Sequence, residues 1–275
     1  METFSRAVEF IWKHARLLER RLFAFHFAGG SRSDVLSALR AYQNEDGGFG
    51  NALEPDIRCP DSQPVPVQHA LEILDAVGFE ETTARGACDF LQRITTGEGG
   101  VPFVLPSVRN YPHAPWWQTE DNPPAALNPT ASIAGLLHKN RFSHPWLDRA
   151  TAHCWEHLPR SPLQDDYELA AIVRFLEYAP DRARAEAEFV RIGKRLQEPE
   201  FSKTVLRWAD RPGSYCRRFF SERAVEEGLD ELLASQREDG GWSIDWPPIS
   251  LGCEVEWRGW VTVAALLTLR ANSRL

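Results

Sequence analysis

Basic residues never cluster in this chain, its cysteines never pair as CxxC, and no apolar run reaches the length of a bilayer. Each absence excludes a class of function. Lysine and arginine number 31 against 39 acidic residues, a formal charge of −8, and they are spread along the chain without aromatic interleaving. A nucleic-acid partner needs a positive footprint against its phosphates, so none is expected. Cys59, Cys88, Cys154, Cys216 and Cys253 are isolated and odd in number, which fits reduced thiols in a cytoplasmic setting and not a secreted disulfide framework. The stretch from residue 1 to 20 alternates charged and apolar side chains as an amphipathic helix does and holds no signal-like apolar core. Residues 259 to 269 are apolar but too short to cross a bilayer, so no integral membrane association is expected. Phosphate loops, dinucleotide fingerprints and nucleophile elbows are also missing, and no cofactor is implied.

What is present is a chain of 275 residues with 43% apolar content, enough for one large core. Ten tryptophans and fifteen phenylalanines stand against five tyrosines. Such aromatic surface either lines a pocket or packs helices together. Apolar residues recur at helical spacing throughout, over 3–26, then after a serine cap at 31 or 33, over 67–77, 81–95, from Asn128-Pro129-Thr130, and over 145–158, 166–178, 181–196, 222–235 and 257–270. A short helix is expected at 215–220. This predicts about eleven helices, no strands, and a single domain over residues 1–275. The long loops 51–65, 101–128 and 243–256 each lie between successive helices, and their gathering at one end would form a site.

Two segments repeat. Gln43-Asn44-Glu45-Asp46-Gly47-Gly48-Phe49 and Gln236-Arg237-Glu238-Asp239-Gly240-Gly241-Trp242 each close a helix with a glycine turn and an aromatic residue, and Thr96-Gly97-Glu98-Gly99-Gly100 is a degenerate third copy. These motifs resemble the glutamine-tryptophan repeats of the terpenoid cyclase and protein prenyltransferase superfamily. The resemblance implies an all-α fold, an α/α toroid of helical hairpins around a cavity. The family's chemistry does not carry over by motif. The sequence has no Asp-x-Asp-Asp acid, no Asp-x-Cys zinc arrangement at the matching loop, and no Asp-Asp-x-x-Asp magnesium motif.

The candidate catalytic residues come instead from two acidic clusters. Glu54, Asp56 and Arg58 occupy alternating positions, which share a face in an extended stretch. One carboxylate would stay ionised against arginine while the other donates a proton. Glu254, Glu256 and Arg258 repeat the arrangement before the last helix, and closure of a toroid would bring the clusters together for acid and base roles on a small-molecule substrate. A network of ion pairs is the structural alternative for both. Candidate substrate-binding residues are His69, Arg109, Tyr111, His113, Trp116, Trp117, Asn128, Trp242, Trp246, Trp257, Arg258 and Trp260. The six tryptophan rings among them would each stabilise a carbocation by about 2 kcal/mol when desolvated, or stack on a sugar. The resulting expectation is an acid–base cyclase or isomerase of an isoprenoid-type substrate, with a carbohydrate hydrolase or lyase and a non-catalytic scaffold as alternatives. His153-Cys154-Trp155-Glu156-His157 fits the inverted His-x-x-Glu-His zinc pattern. No third ligand is identifiable in sequence, so packing histidines are the expectation and no metal is assigned.

Overall fold

The computed structural model describes residues 2–275. Twelve α-helices run through them: α1 (Glu2–His14), α2 (Leu17–Phe27), α3 (Arg32–Leu39), α4 (Pro64–Val77), α5 (Glu81–Arg93), α6 (Leu127–Lys139), α7 (Pro145–His157), α8 (Asp166–Tyr178), α9 (Arg182–Leu196), α10 (Val205–Trp208), α11 (Glu222–Ala234) and α12 (Leu251–Ala271). Among the described residues the only β pairing consists of three isolated bridges. The fold is all-α. The five cysteines are buried and none forms a disulfide, and burial pushes the Cys88 thiol up to about 12. No described helix is long and apolar enough to cross a membrane.

Several boundaries differ from the sequence expectation. The stretch 3–26 is two helices, because the chain leaves helical geometry at Ala15 and Arg16 before α2 begins. The segment at 215–220 is a 3-10 turn, Tyr215–Phe219. The last helix starts at Leu251, six residues early, because Ser250 caps it by accepting from the Cys253 amide.

Two compact units divide the chain, one of residues 1–38 with 191–275, the other of residues 39–190. In the second, α6 is the buried centre. Every residue from Leu127 to Leu137 except Asn128 is buried. Gly135 lets it approach α8 closely, since a Cβ there would stand 2.5 Å from the Arg174 carbonyl. In the first, α1 and α2 cover α12, with Phe10, Ile11, Leu18 and Leu266 fully or almost fully buried.

The three glycine turns share one geometry. Asn44 N donates to Gly48 O, Thr96 N to Gly100 O and Arg237 N to Gly241 O, each at 2.9 Å. Gly47, Gly99 and Gly240 take φ of 84°, 90° and 91°, a region that favours glycine. Gln43 and Gln236 each reach forward to the carbonyl of the following turn glycine, at 3.1 and 2.9 Å. In the third copy Thr95 stands in place of glutamine and accepts from the Trp146 indole at 3.0 Å. The residue after the turn is anchored to a buried threonine in two copies, Val101 N on Thr130 and Trp242 N on Thr262. Thr130 therefore has a structural task.

Candidate functional site

The loop between the first glycine turn and α4 is tightly self-bonded. Leu53 N donates to Gly50 O and Ile57 N to Glu54 O, both at 3.0 Å, while Asn51 N reaches Cys59 O at 3.2 Å. Asn51 and Ala52 both adopt positive φ, 55° and 60°. Non-glycine residues in that region carry strain, which surrounding structure must maintain. Asn51 is held by Cys59 O and by the Asn44 side chain, and the later part of the loop by residues 105–114. Arg58 N donates to Pro112 O and Ala114 N to Asp56 O, each at 3.0 Å, around a bridge pairing Ile57 with His113. Gln63, fully buried, ties the same loops by donating to the Ser107 hydroxyl and accepting from Leu105 N, both at 2.8 Å.

This folding buries Glu54 and Asp56 to 2% and 1% exposure. His69, on the second turn of α4, brings Nε2 to 3.4 Å from Glu54 Oε2 and stays partly open, with 13% of its side chain exposed. The turn at Glu54–Ile57 corrects the expectation of an extended stretch. Convergence here comes from loop closure and from α4, not from alternation along a strand. Arg58 sends Nη1 to the Pro55 carbonyl at 3.4 Å. A buried carboxylate beside a mostly buried, partly open imidazole is an arrangement that can accept and return a proton.

The other candidates on this unit lie along residues 101–128. His113 is held by Tyr111 O at 2.7 Å and by the Gln118 amide at 2.9 Å. Arg109 pairs with Asp121 at 2.5 Å on the exposed side. Tyr111 and Trp116 are exposed, whereas Trp117 is buried against Phe103 with ring centroids 4.7 Å apart. Asn128 is half-buried with non-helical backbone at the head of α6. Phe103, Val104, Gln118, Glu120, Pro123 and Pro124 line an open depression of about 520 Å³ on the same loop.

Glu254, Glu256, Arg258 and the remaining tryptophans belong to the other unit. Glu254 and Glu256 lie inside α12, so positions two apart point to different sides of a helix, and the expected alternating cluster does not form. Glu254 sits 3.7 Å from Arg237. Arg258 is locked in place, with Nη2 2.7 Å from Asp239 Oδ1, Nε 3.2 Å from Trp242 O and the guanidinium 4.6 Å over the Phe10 ring. Arg258 pulls the Asp239 carboxyl below its ordinary range. Trp242 is buried and donates to Leu232 O at 2.8 Å. Trp257 is buried edge-on to Trp246 at 5.1 Å, and Trp260 is half-buried. Arg258 and Trp242 thus hold the second glycine turn in place.

Sequence reasoning singled out His153 and His157 but missed Glu98, the third member of a grouping in the second unit. Ligand-type atoms of Glu98, His153 and His157 lie within 4.8 Å of one another. Burial holds the His153 imidazole below its ordinary value. The signal was the pairing of the degenerate turn with the His-x-x-Glu-His segment, which are 55 residues apart and adjacent only once folded.

No protein-family model matches this sequence, and comparison with curated proteins finds no match. Among solved structures the chain is similar to a protein from Actinoplanes, with 17% identity, a TM-score of 0.61, and coverage of 97% of this chain and 98% of that one. That likeness is one of fold.

Proposed function

We propose that this chain is an α/α toroid of the terpenoid cyclase-like kind whose second unit carries acid–base chemistry on a small molecule of isoprenoid type. The observation that supports it is the Glu54–His69 pair at 3.4 Å, with Asp56 buried two residues away. The three glycine turns support the fold half of the reading, because they recur with the same hydrogen bonds and the same positive φ. The chemistry rests on analogy between folds together with that pair.

In this reading Glu54 orients His69 and balances the imidazolium formed when His69 takes a proton. Asp56 supplies negative charge beside the developing positive centre. Because both carboxylates are buried, their fields act in a low-dielectric setting where a charge is worth several times its value in water. Removing either member of the pair would cost about a hundredfold or more in rate.

The test is incubation of the purified protein with a panel of prenyl diphosphates and polyprenols, with products resolved by gas chromatography and mass spectrometry. Conversion by wild type, lost in Glu54→Gln and His69→Ala proteins whose circular dichroism is unchanged, is the expected result. Turnover that survives both replacements, or no conversion of any isoprenoid, would overturn the reading. A carbohydrate substrate is favoured by one observation, the exposed Trp116 and Tyr111 beside Arg109 and Gln118, which offer stacking and hydrogen bonds together. Oligosaccharides that quench Trp116 fluorescence would move the assignment there.

A further inference from the structure

The three glycine turns each rest on a neighbouring helix in the same way. A Cβ on Gly47 would meet the Gly86 carbonyl at 2.4 Å, on Gly99 the Arg149 carbonyl at 3.0 Å, and on Gly240 the Arg6 carbonyl at 2.2 Å. One helical turn further along each helix, a ring faces the second glycine: Phe90 against Gly48, Phe10 against Gly241, and His153 against Gly100. The third copy therefore places an imidazole where the other two place a phenyl ring. Packing does not explain the exchange, because phenylalanine fills this position twice in the same chain.

Two more positions of that copy change together with it. The acidic residue before the positive-φ glycine is Asp46 in one copy and Asp239 in another. Each folds back onto its own turn, accepting from Gly48 N at 2.9 Å and Gly241 N at 3.1 Å. The corresponding residue in the third copy is Glu98, one methylene longer and exposed, with its carboxylate near the imidazoles. One helical turn beyond His153 stands His157, its ring stacked on His153 at 4.2 Å.

His153 itself is only 2% exposed. Its Nδ1 lies 3.1 Å from the Glu98 carbonyl. A carbonyl only accepts, so Nδ1 carries the hydrogen and Nε2 is the lone-pair nitrogen of the neutral ring. That nitrogen is buried with no hydrogen-bond partner. A buried polar atom left in this state is destabilising unless something binds it, and imidazoles that ligate metals commonly have their other nitrogen bonded to a carbonyl.

We propose that Glu98, His153 and His157 form a binding site for a divalent transition metal of the zinc class. Two imidazole nitrogens and a carboxylate are a borderline donor set that suits Zn²⁺ and Co²⁺ over Mg²⁺ and Ca²⁺, which prefer oxygen alone. In tetrahedral coordination, ligand atoms about 2.1 Å from one ion stand about 3.4 Å apart, so the three, which lie within 4.8 Å of one another, draw together when the ion binds. The exposed Glu98 and half-open His157 have the freedom to do so. A bound ion would clamp the third glycine turn onto α7.

The experiment uses untagged, chelator-stripped full-length protein, titrated with Zn²⁺ by calorimetry and with Co²⁺ by visible absorption. One equivalent of Zn²⁺ and a d–d spectrum of nitrogen–oxygen ligation are expected. Glu98→Gln and His157→Ala should each weaken binding by at least about tenfold, the size seen even for loss of an outer partner. His153→Phe restores the ring found in the other two copies, so it should fold, melt higher than the metal-free wild type, and bind no metal. His14→Ala, in the other unit, should leave binding unchanged. Absence of Zn²⁺ uptake by wild type, or binding as tight as wild type's in folded His153→Phe or His157→Ala protein, would overturn the proposal.

Discussion

Single residues carry most of the specificity of the glycine turns. Gly240 combines φ of 91° with a Cβ site 2.2 Å from the Arg6 carbonyl, so alanine there meets both backbone strain and a collision that no side-chain rotation relieves. Gly240→Ala should destabilise by about 3 kcal/mol or more. Gly29 shares a positive φ, 68°, but has nothing within 4 Å of its Cβ site, and Gly29→Ala should cost only about 1 kcal/mol. Urea denaturation of both proteins tests the difference, and equal losses would show that the collision is relieved by movement of α1. At this scale the sequence was readable, since a paired glycine after an acidic residue announces a tight turn. Which of the two glycines needs positive φ, and which helix it touches, was not readable.

At the scale of an element, the second turn is held by a charge. Asp239 accepts from Gly241 N and from Arg258, and its carboxyl is held below the ordinary aspartate value of 3.8 mainly by the Arg258 hydrogen bond. A carboxyl lowered on folding contributes stability that is fully present above its unfolded value and disappears as pH falls through the lower folded value. Asp239→Asn should therefore melt lower than wild type at pH 7, by about 1 kcal/mol because the carboxylate is partly exposed. The two melting curves should converge as the pH falls below 3.8. A gap that persists at pH 2 would assign the effect to packing. The helices themselves were largely visible as apolar periodicity: α8 spans 166–178 as expected. The start of α12 was missed because Trp246, Pro247 and Pro248 read as loop, while the Ser250 cap that opens the helix lies just beyond them. That shift moved Glu254 and Glu256 from a supposed extended segment into a helix.

For the whole molecule, chain order and spatial units part company. The unit made of residues 1–38 and 191–275 takes α1 and α2 from one end of the chain and α12 from the other. Phe10, Ile11, Leu18, Leu22 and Phe23 are all buried in it. At about 2 kcal/mol each, they amount to roughly 10 kcal/mol, comparable to the 5–15 kcal/mol that a typical domain has in all. Removal of residues 1–28 should thus leave α12 without its cover and unfold this unit. Loss of a large part of the helical circular dichroism, with aggregation on size exclusion, is the expected outcome. A monomeric fragment of undiminished helicity per residue would refute it.

The sequence by itself determined the all-α class, the positions of most helices and the threefold recurrence of the glycine turn, because helical periodicity and turn chemistry are local and need only a few neighbouring residues to express themselves. It also marked Glu54, Asp56 and His69 as chemically interesting. Only the tertiary structure decided that a closed loop, not an extended strand, buries those carboxylates and seats Glu54 against His69. It alone joined Glu98 to two histidines more than fifty residues away. Such juxtapositions depend on which helix each turn packs against, and the burial of side chains on distant segments sets that choice.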